Sequence, residues 1–138
     1  DVISNADLLT LPCDILIPAA TGSVITKDNA GKLKCRMLAE GANGPTTNDA
    51  DAVLRQRDDI FVIPDILANA GGVIVSTFEW EQNIKNEHWS EKEVFEKLKE
   101  ILVRESDEVH KKSQEMKTDL RRASFIIALS RIAEAMGY

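Results

Sequence analysis

Four residues in the run Pro64 to Asn83 have types and spacing suited to holding a small molecule: Asn69, Gly71, Gly72 and Ser76. The run reads Pro-Asp-Ile-Leu-Ala-Asn-Ala-Gly-Gly-Val-Ile-Val-Ser-Thr-Phe-Glu-Trp-Glu-Gln-Asn. It starts where an apolar strand ends and continues into a helix. Open α/β sheets bind ligands there, in the crevice beyond their strand ends. Asn69 offers an amide donor and acceptor, and Ser76 a hydroxyl two turns on. A glycine inside a helix costs about 1 kcal/mol against alanine, so two in succession point to a need for close backbone approach.

Two more segments of small residues follow strand-like runs, Pro18-Ala19-Ala20-Thr21-Gly22 and Glu40-Gly41-Ala42-Asn43-Gly44-Pro45-Thr46. In a parallel sheet all three segments share one edge. Taken singly each is an ordinary turn signal, but turns alone do not require small residues and free amides in all three. Asn43 reads either as a turn-former or as a ligand amide, and spacing does not choose. Asp65 reads as a catalytic carboxylate or as a helix N-terminal residue favoured by the dipole, with the second preferred. Glu40 reads as a strand-end group holding neighbouring loops. Glu79 and Trp80 could line a site, although a mid-helix tryptophan more often packs. No Gly-x-Gly-x-x-Gly turn occurs, and no lysine or carboxylate pair stands poised for acid-base work.

The elements that must position these loops are legible as apolar runs. Asp14 to Pro18, Cys35 to Glu40 and Ile60 to Pro64 read as strands. Their continuous apolar centres predict parallel strands covered on both faces. Each pair is separated by enough chain for a right-handed crossover. Thr26 can cap a short helix through Asn29 that Gly31 closes, and Thr46 can cap one holding Ala50, Val53 and Leu54. Further on, Ser90 and Glu93 form a capping box ahead of an amphipathic helix from Glu91 to about Lys117. Thr118 and Asp119 can start a last helix, whose centre from Ala123 to Leu129 is apolar nearly all round and predicts burial.

The length of 138 residues allows one domain or a substantial part of one. With 43% hydrophobic and 29% charged residues, the composition is that of an ordinary globular protein. A net charge of -6 argues against nucleic acid and anionic membranes as main partners. No apolar run reaches the roughly 20 residues that span a bilayer, and no signal-peptide pattern is present. The expectation is a cytoplasmic protein. Cys13 and Cys35 read as small buried apolar groups, and His88 and His110 as surface residues, with no metal site. The start at Asp1 without methionine, and a sheet of only three strands, lead us to expect the second half of a nucleotide-binding domain.

The motifs Cys13-Asp14-Ile15-Leu16-Ile17-Pro18-Ala19-Ala20, Ala39-Glu40-Gly41-Ala42-Asn43-Gly44-Pro45-Thr46-Thr47 and Pro64 to Val73 resemble those of glutamate dehydrogenase. So do Val75 to Asn83 and, in the final helix, Leu120-Arg121-Arg122-Ala123. The resemblance implies an α/β fold. It would be the second half of a Rossmann-type domain, with three short parallel strands and crossover helices, followed by long C-terminal helices. Residues 1–90 would be the end of the dinucleotide-binding domain and 91–138 a helical segment packing back on it. The implied activity is oxidative deamination of L-glutamate to 2-oxoglutarate and ammonia with NAD or NADP, in a full-length enzyme that is a homo-hexamer.

The resemblance also carries residue roles. Ala19 and Ala20 match a loop passing the cofactor, and Asn43 a position near the nicotinamide ribose. Asn69 matches a contact to both nicotinamide and substrate. Val73 and Ser76 match the substrate side-chain pocket. The family's catalytic lysine and aspartate, and the choice between NAD and NADP, belong to positions upstream, so the segment alone is expected to be inactive. No role transfers to Thr21-Gly22-Ser23. Two other readings are another branch of the amino-acid dehydrogenases, which would want an apolar residue in place of Ser76, and a non-catalytic interaction module built on the amphipathic helix.

Overall fold

The structure, a computed structural model, describes residues 2–138. They form two compact units, Asp1–Ala68 and Asn69–Tyr138. The first runs α1 (Asn5–Leu9), β1 (Ile15–Leu16), α2 (Lys27–Ala30), β2 (Met37–Ala39), α3 (Asn48–Leu54), β3 (Phe61–Ile63) and α4 (Asp65–Ala68). The strands lie in the order β1-β2-β3, all parallel, with Ile15 abreast of Met37 and Met37 abreast of Phe61. The βαβαβ reading therefore holds, and α1, capped by Ser4, adds a short helix that the sequence reading did not include.

The strands are shorter than the apolar runs that announced them, because Pro18 and Pro64 begin the loops after β1 and β3, and Glu40 gives the last rung of β2. Leu38 is fully buried among Ile25, Ala30, Leu33, Cys35, Ala50 and Leu54, and Leu16 and Val62 pack against that cluster. On the other face Ile15 is 54% exposed and Phe61 48%. The expected coverage of both faces is thus not met among the described residues. Helices α2 and α3 bring Ala30, Ala50 and Leu54 to the Leu38 side alone, and the strands alternate.

Local capping follows the sequence with one correction. Asn29 Oδ1 accepts from the Thr26 amide at 2.8 Å, fastening the start of α2, and Gly31 ends it. Thr47, not Thr46, caps α3: its hydroxyl accepts from the Ala50 amide at 3.3 Å. The reason is an extra parallel bridge between Ile25 and Thr46, with the Thr47 amide donating to the Ile25 carbonyl at 2.9 Å. Thr46 is thereby held extended, its hydroxyl buried without a hydrogen-bond partner. Cys35 is buried in the core with a free thiol, as expected of a small apolar group. Burial first, and then Cys13, push that thiol above its ordinary pKa.

The second unit holds α5 (Ala70–Lys85), α6 (Glu91–Met116) and α7 (Leu120–Ala135). The predicted capping box at Ser90 is present, with Glu93 Oε2 accepting the Ser90 amide at 2.7 Å. Trp89 lies between Phe78 of α5, at 5.6 Å between ring centroids, and the Lys97 ammonium of α6 at 4.6 Å. Asp119 caps α7 by accepting from the Arg122 amide. The buried last helix is corrected: Ala123, Ser124 and Ile127 are buried, but Phe125 is 51% and Leu129 63% exposed. One stripe packs within the unit, and the rest of the apolar surface faces outward. Trp80, expected to pack, is also exposed. Among the described residues no helix is long and apolar enough to cross a membrane.

Arg131 fastens α7 to α6 by donating to Glu105 at 2.8 Å and Glu108 at 2.6 Å. Burial alone would raise the Glu105 carboxyl, but hydrogen bonds from Arg131 and Arg104 outweigh it and hold the group below its ordinary value. A depressed folded pKa adds stability above the unfolded value of about 4.3, and that stability is lost as pH falls through the folded value. Glu105→Gln should therefore lower the urea midpoint at pH 7, by up to about 1 kcal/mol in stability. It should also flatten the decline of that midpoint between about pH 5 and 3. An unchanged acid limb would show the cluster to be ornamental.

Candidate functional site

The carboxyl ends of β1, β2 and β3 release three loops, and the segment after β2 laces them together. From β2, the Glu40 amide donates to the Ile63 carbonyl at 3.1 Å, the last rung toward β3. The Ala42 amide donates to the Pro18 carbonyl at 2.8 Å, binding the loop after β1. The Gly44 carbonyl accepts from the Ser23 amide at 2.8 Å, a second tie to that loop. On the opposite side, the Gly44 amide donates to Asp65 Oδ2 at 2.8 Å. Glu40, completely buried, accepts the Asp65 amide on Oε2 at 3.0 Å.

Small residues are required by how closely these loops pass. A β-carbon on Gly41 would lie 3.0 Å from that of Ala19, and one on Gly22 would lie 3.2 Å from the Asn43 carbonyl oxygen. Gly44 has φ +56°, in the left-handed region that glycine enters without strain. Ser23 adopts the same region at φ 56° without being glycine. The hydrogen bond its amide donates to the Gly44 carbonyl secures it there.

Of the residues singled out from sequence, Ala19, Ala20 and Asn43 are gathered at this strand-end edge, with all three exposed. The side chains are small or neutral, and the edge is lined by backbone. Asn69 belongs to the second unit, where it breaks the run into α4 and α5 with φ -107° and ψ 6°. Val73 and Ser76 are exposed one turn apart on α5. The two glycines of α5 differ: Gly71 would meet only Leu98 at 4.0 Å, and Gly72 faces open space. Glu79 and Trp80 are exposed on the same helix, and His88 and His110 are exposed elsewhere. No group of metal-ligating side chains occurs among the described residues.

Three participants escaped the sequence reading. Gly22 and Ser23 back the Asn43 turn; Gly22 reads only as the end of a small-residue loop, and nothing marks Ser23. Asp65 was read mainly as a helix-start residue. It does sit in the first turn of α4, with Oδ1 accepting from the Ile66 amide at 2.8 Å, but its other oxygen serves the neighbouring loop.

The sequence profile of the Glutamate/Leucine/Phenylalanine/Valine dehydrogenase family matches residues 1–138. The chain belongs to this family. An NAD-specific glutamate dehydrogenase of Staphylococcus aureus is 49% identical over all 138 residues, which correspond to 33% of its own length. An NADP-specific glutamate dehydrogenase of Synechocystis is 52% identical over 134 residues, 31% of its length. The chain thus spans about a third of the curated relatives it matches. Among solved structures, the hetero-hexameric glutamate dehydrogenase from Thermus thermophilus, in a leucine-bound form, matches with a TM-score of 0.92 and 28% identity. That match covers 96% of this chain and 32% of the other. The enzyme from Peptoniphilus asaccharolyticus gives 0.81 and 40% identity over 88% of this chain and 30% of its own. The fold is accordingly α/β, the second half of a Rossmann-type domain followed by long helices.

The geometry separates glycines needed for conformation from those that are not. Gly44→Ala should destabilise the protein by about 1–2 kcal/mol, the cost of a β-carbon in the left-handed region. Gly72→Ala should be neutral or stabilise by up to about 1 kcal/mol, since open space and helical backbone both accept the methyl group. Urea unfolding of the two variants checks the contrast, and equal losses would refute it.

Proposed function

We propose that these residues form part of an enzyme that oxidatively deaminates L-glutamate to 2-oxoglutarate and ammonia. The observation that carries this reading is the family match over the whole chain, together with relatives of about half identity that are glutamate dehydrogenases. The relatives include NAD-specific and NADP-specific enzymes, and the cofactor here is one of those two. Its nicotinamide supplies hydride acceptance. The strand-end edge fits such a group, because the exposed Ala19, Ala20 and Asn43 present small or neutral side chains there. In this reading Ala19 and Ala20 flank the cofactor, Asn43 holds the nicotinamide ribose, and Asn69 contacts nicotinamide and substrate.

In this reading residues 1–90 complete the dinucleotide-binding domain and 91–138 form a C-terminal helical segment. The full-length protein is a cytoplasmic homo-hexamer. The lysine and aspartate that move protons in the reaction lie outside these residues, so the 138-residue chain by itself turns over no glutamate. Measurable turnover by the purified chain, with full-length enzyme excluded by mass spectrometry, would contradict this assignment.

Val73 and Ser76 line the substrate side-chain pocket. A distal carboxylate left without a partner in a closed site costs several kcal/mol, and the Ser76 hydroxyl answers that need. In the intact enzyme Ser76→Val should lower kcat/KM for glutamate more than tenfold, at least about 1.4 kcal/mol, and shift preference toward norvaline and leucine. An unchanged ratio of glutamate to norvaline would remove Ser76 from the pocket.

A further inference from the structure

We propose that Glu40 and Asp65 are positioning residues for the cofactor side of the site, acting on Asn43 through the peptide that follows it. The inference rests on the proposed dinucleotide-linked activity and adds two residues that no family motif singles out for a role. Three observations carry it. Glu40 is 0% exposed at the end of β2, and its Oε2 accepts the Asp65 amide at 3.0 Å. Asp65 turns its Oδ2 to the Gly44 amide at 2.8 Å across 21 residues of sequence. The other end of the same Asn43–Gly44 peptide backs onto Gly22, where an added β-carbon would stand 3.2 Å from the Asn43 carbonyl oxygen.

A peptide unit is planar, so its N–H and C=O cannot be set independently. Asp65 holds the N–H, Gly22 closes the space beside the C=O, and the plane between them is fixed. That plane sets where the Asn43 side chain leaves the backbone. Gly44, at φ +56°, has wide conformational freedom of its own and would not hold the plane unaided. Asp65 is in turn held by Glu40, which is anchored in the ladder through its amide to Ile63. The carboxylates form a relay from the buried end of β2, through the first turn of α4, back to the turn carrying Asn43. A residue serving only to start α4 would need the contact to the Ile66 amide at 2.8 Å and not the one to Gly44. Hydrogen bonds to a charged acceptor are the stronger kind, and they suit a loop that must stay put while a ligand comes and goes.

The test uses the intact enzyme with whichever of NAD and NADP it turns over. Asp65→Ala should raise KM for the dinucleotide tenfold or more while changing KM for glutamate less than threefold. Glu40→Gln, which keeps an acceptor oxygen, should raise the dinucleotide KM less than Glu40→Ala. If Glu40→Ala does not fold, the comparison of Asp65→Ala with Asp65→Asn replaces it, the asparagine giving the smaller rise. Asp49→Ala removes an exposed carboxylate from the first turn of α3 and serves as a control with unchanged kinetics. A purely structural role would appear as a lower Tm and lower kcat with dinucleotide KM unchanged, and that pattern overturns the proposal. Calorimetry on the wild type separates the two layers. A wild type that binds neither dinucleotide overturns the functional reading itself. One that binds and turns over normally, beside an Asp65→Ala variant of unchanged KM, overturns only the positioning role.

Discussion

The hydrogen bond from the Gly44 amide to Asp65 is the contact on which the arrangement of the strand ends depends. Parallel strands of two or three residues make few ladder bonds, and here the sheet alone cannot fix the loops beyond it. The loops are instead fixed by one another, with the backbone from Glu40 to Pro45 as the common element. It takes Pro18 and Ser23 on one side and Asp65 on the other, and the Ile25 amide adds a bond to the Pro45 carbonyl at 2.8 Å. Backbone groups buried in such a crossing must be paired, and nearly all of this pairing runs between loops. The consequence for function is rigidity without bulk. Ala19, Ala20 and Asn43 put small or neutral side chains at the edge, beside the exposed Ile17.

The same economy explains why the segment holds no poised acid or base of its own at this edge. At these strand ends Asp65 spends both oxygens on the Gly44 and Ile66 amides, and Glu40 gives Oε2 to the Asp65 amide. A carboxylate committed in that way orients a loop better than it transfers protons.

Much of the fold was legible because its signals are local. The box of Ser90 and Glu93, the Thr26–Asn29 pair and the three apolar runs, two of them ending in proline, each specify an element within a few residues. Errors arose where a distant partner decided the outcome. Thr46 lost its capping role to Thr47 because Ile25 pairs with it. Phe125 and Leu129 stay exposed because α7 buries only one stripe within its unit. For the candidate site, spacing left Asn43 open between a turn-former and a ligand amide, and Asp65 could be placed at a helix start. That Asp65 also serves Gly44 depends on two loops that are separate in sequence and adjacent only in the folded sheet. Gly22 shows in sequence only as the end of a small-residue loop, and Ser23 carries no signal until that adjacency is known.

If the strand-end loops are one laced unit, their cross-loop amides must open together. Native-state hydrogen exchange at the Ser23, Ala42, Gly44 and Asp65 amides of the intact enzyme measures this directly, because each bond ties a different pair of segments. The account predicts opening free energies that agree within about 1 kcal/mol across the four sites, as for a single cooperative unit. It also predicts that Asp65→Ala lowers all four. Free exchange at Gly44 while Ser23 and Ala42 remain protected would contradict it, and would reduce the Asp65 contact to a local surface bond.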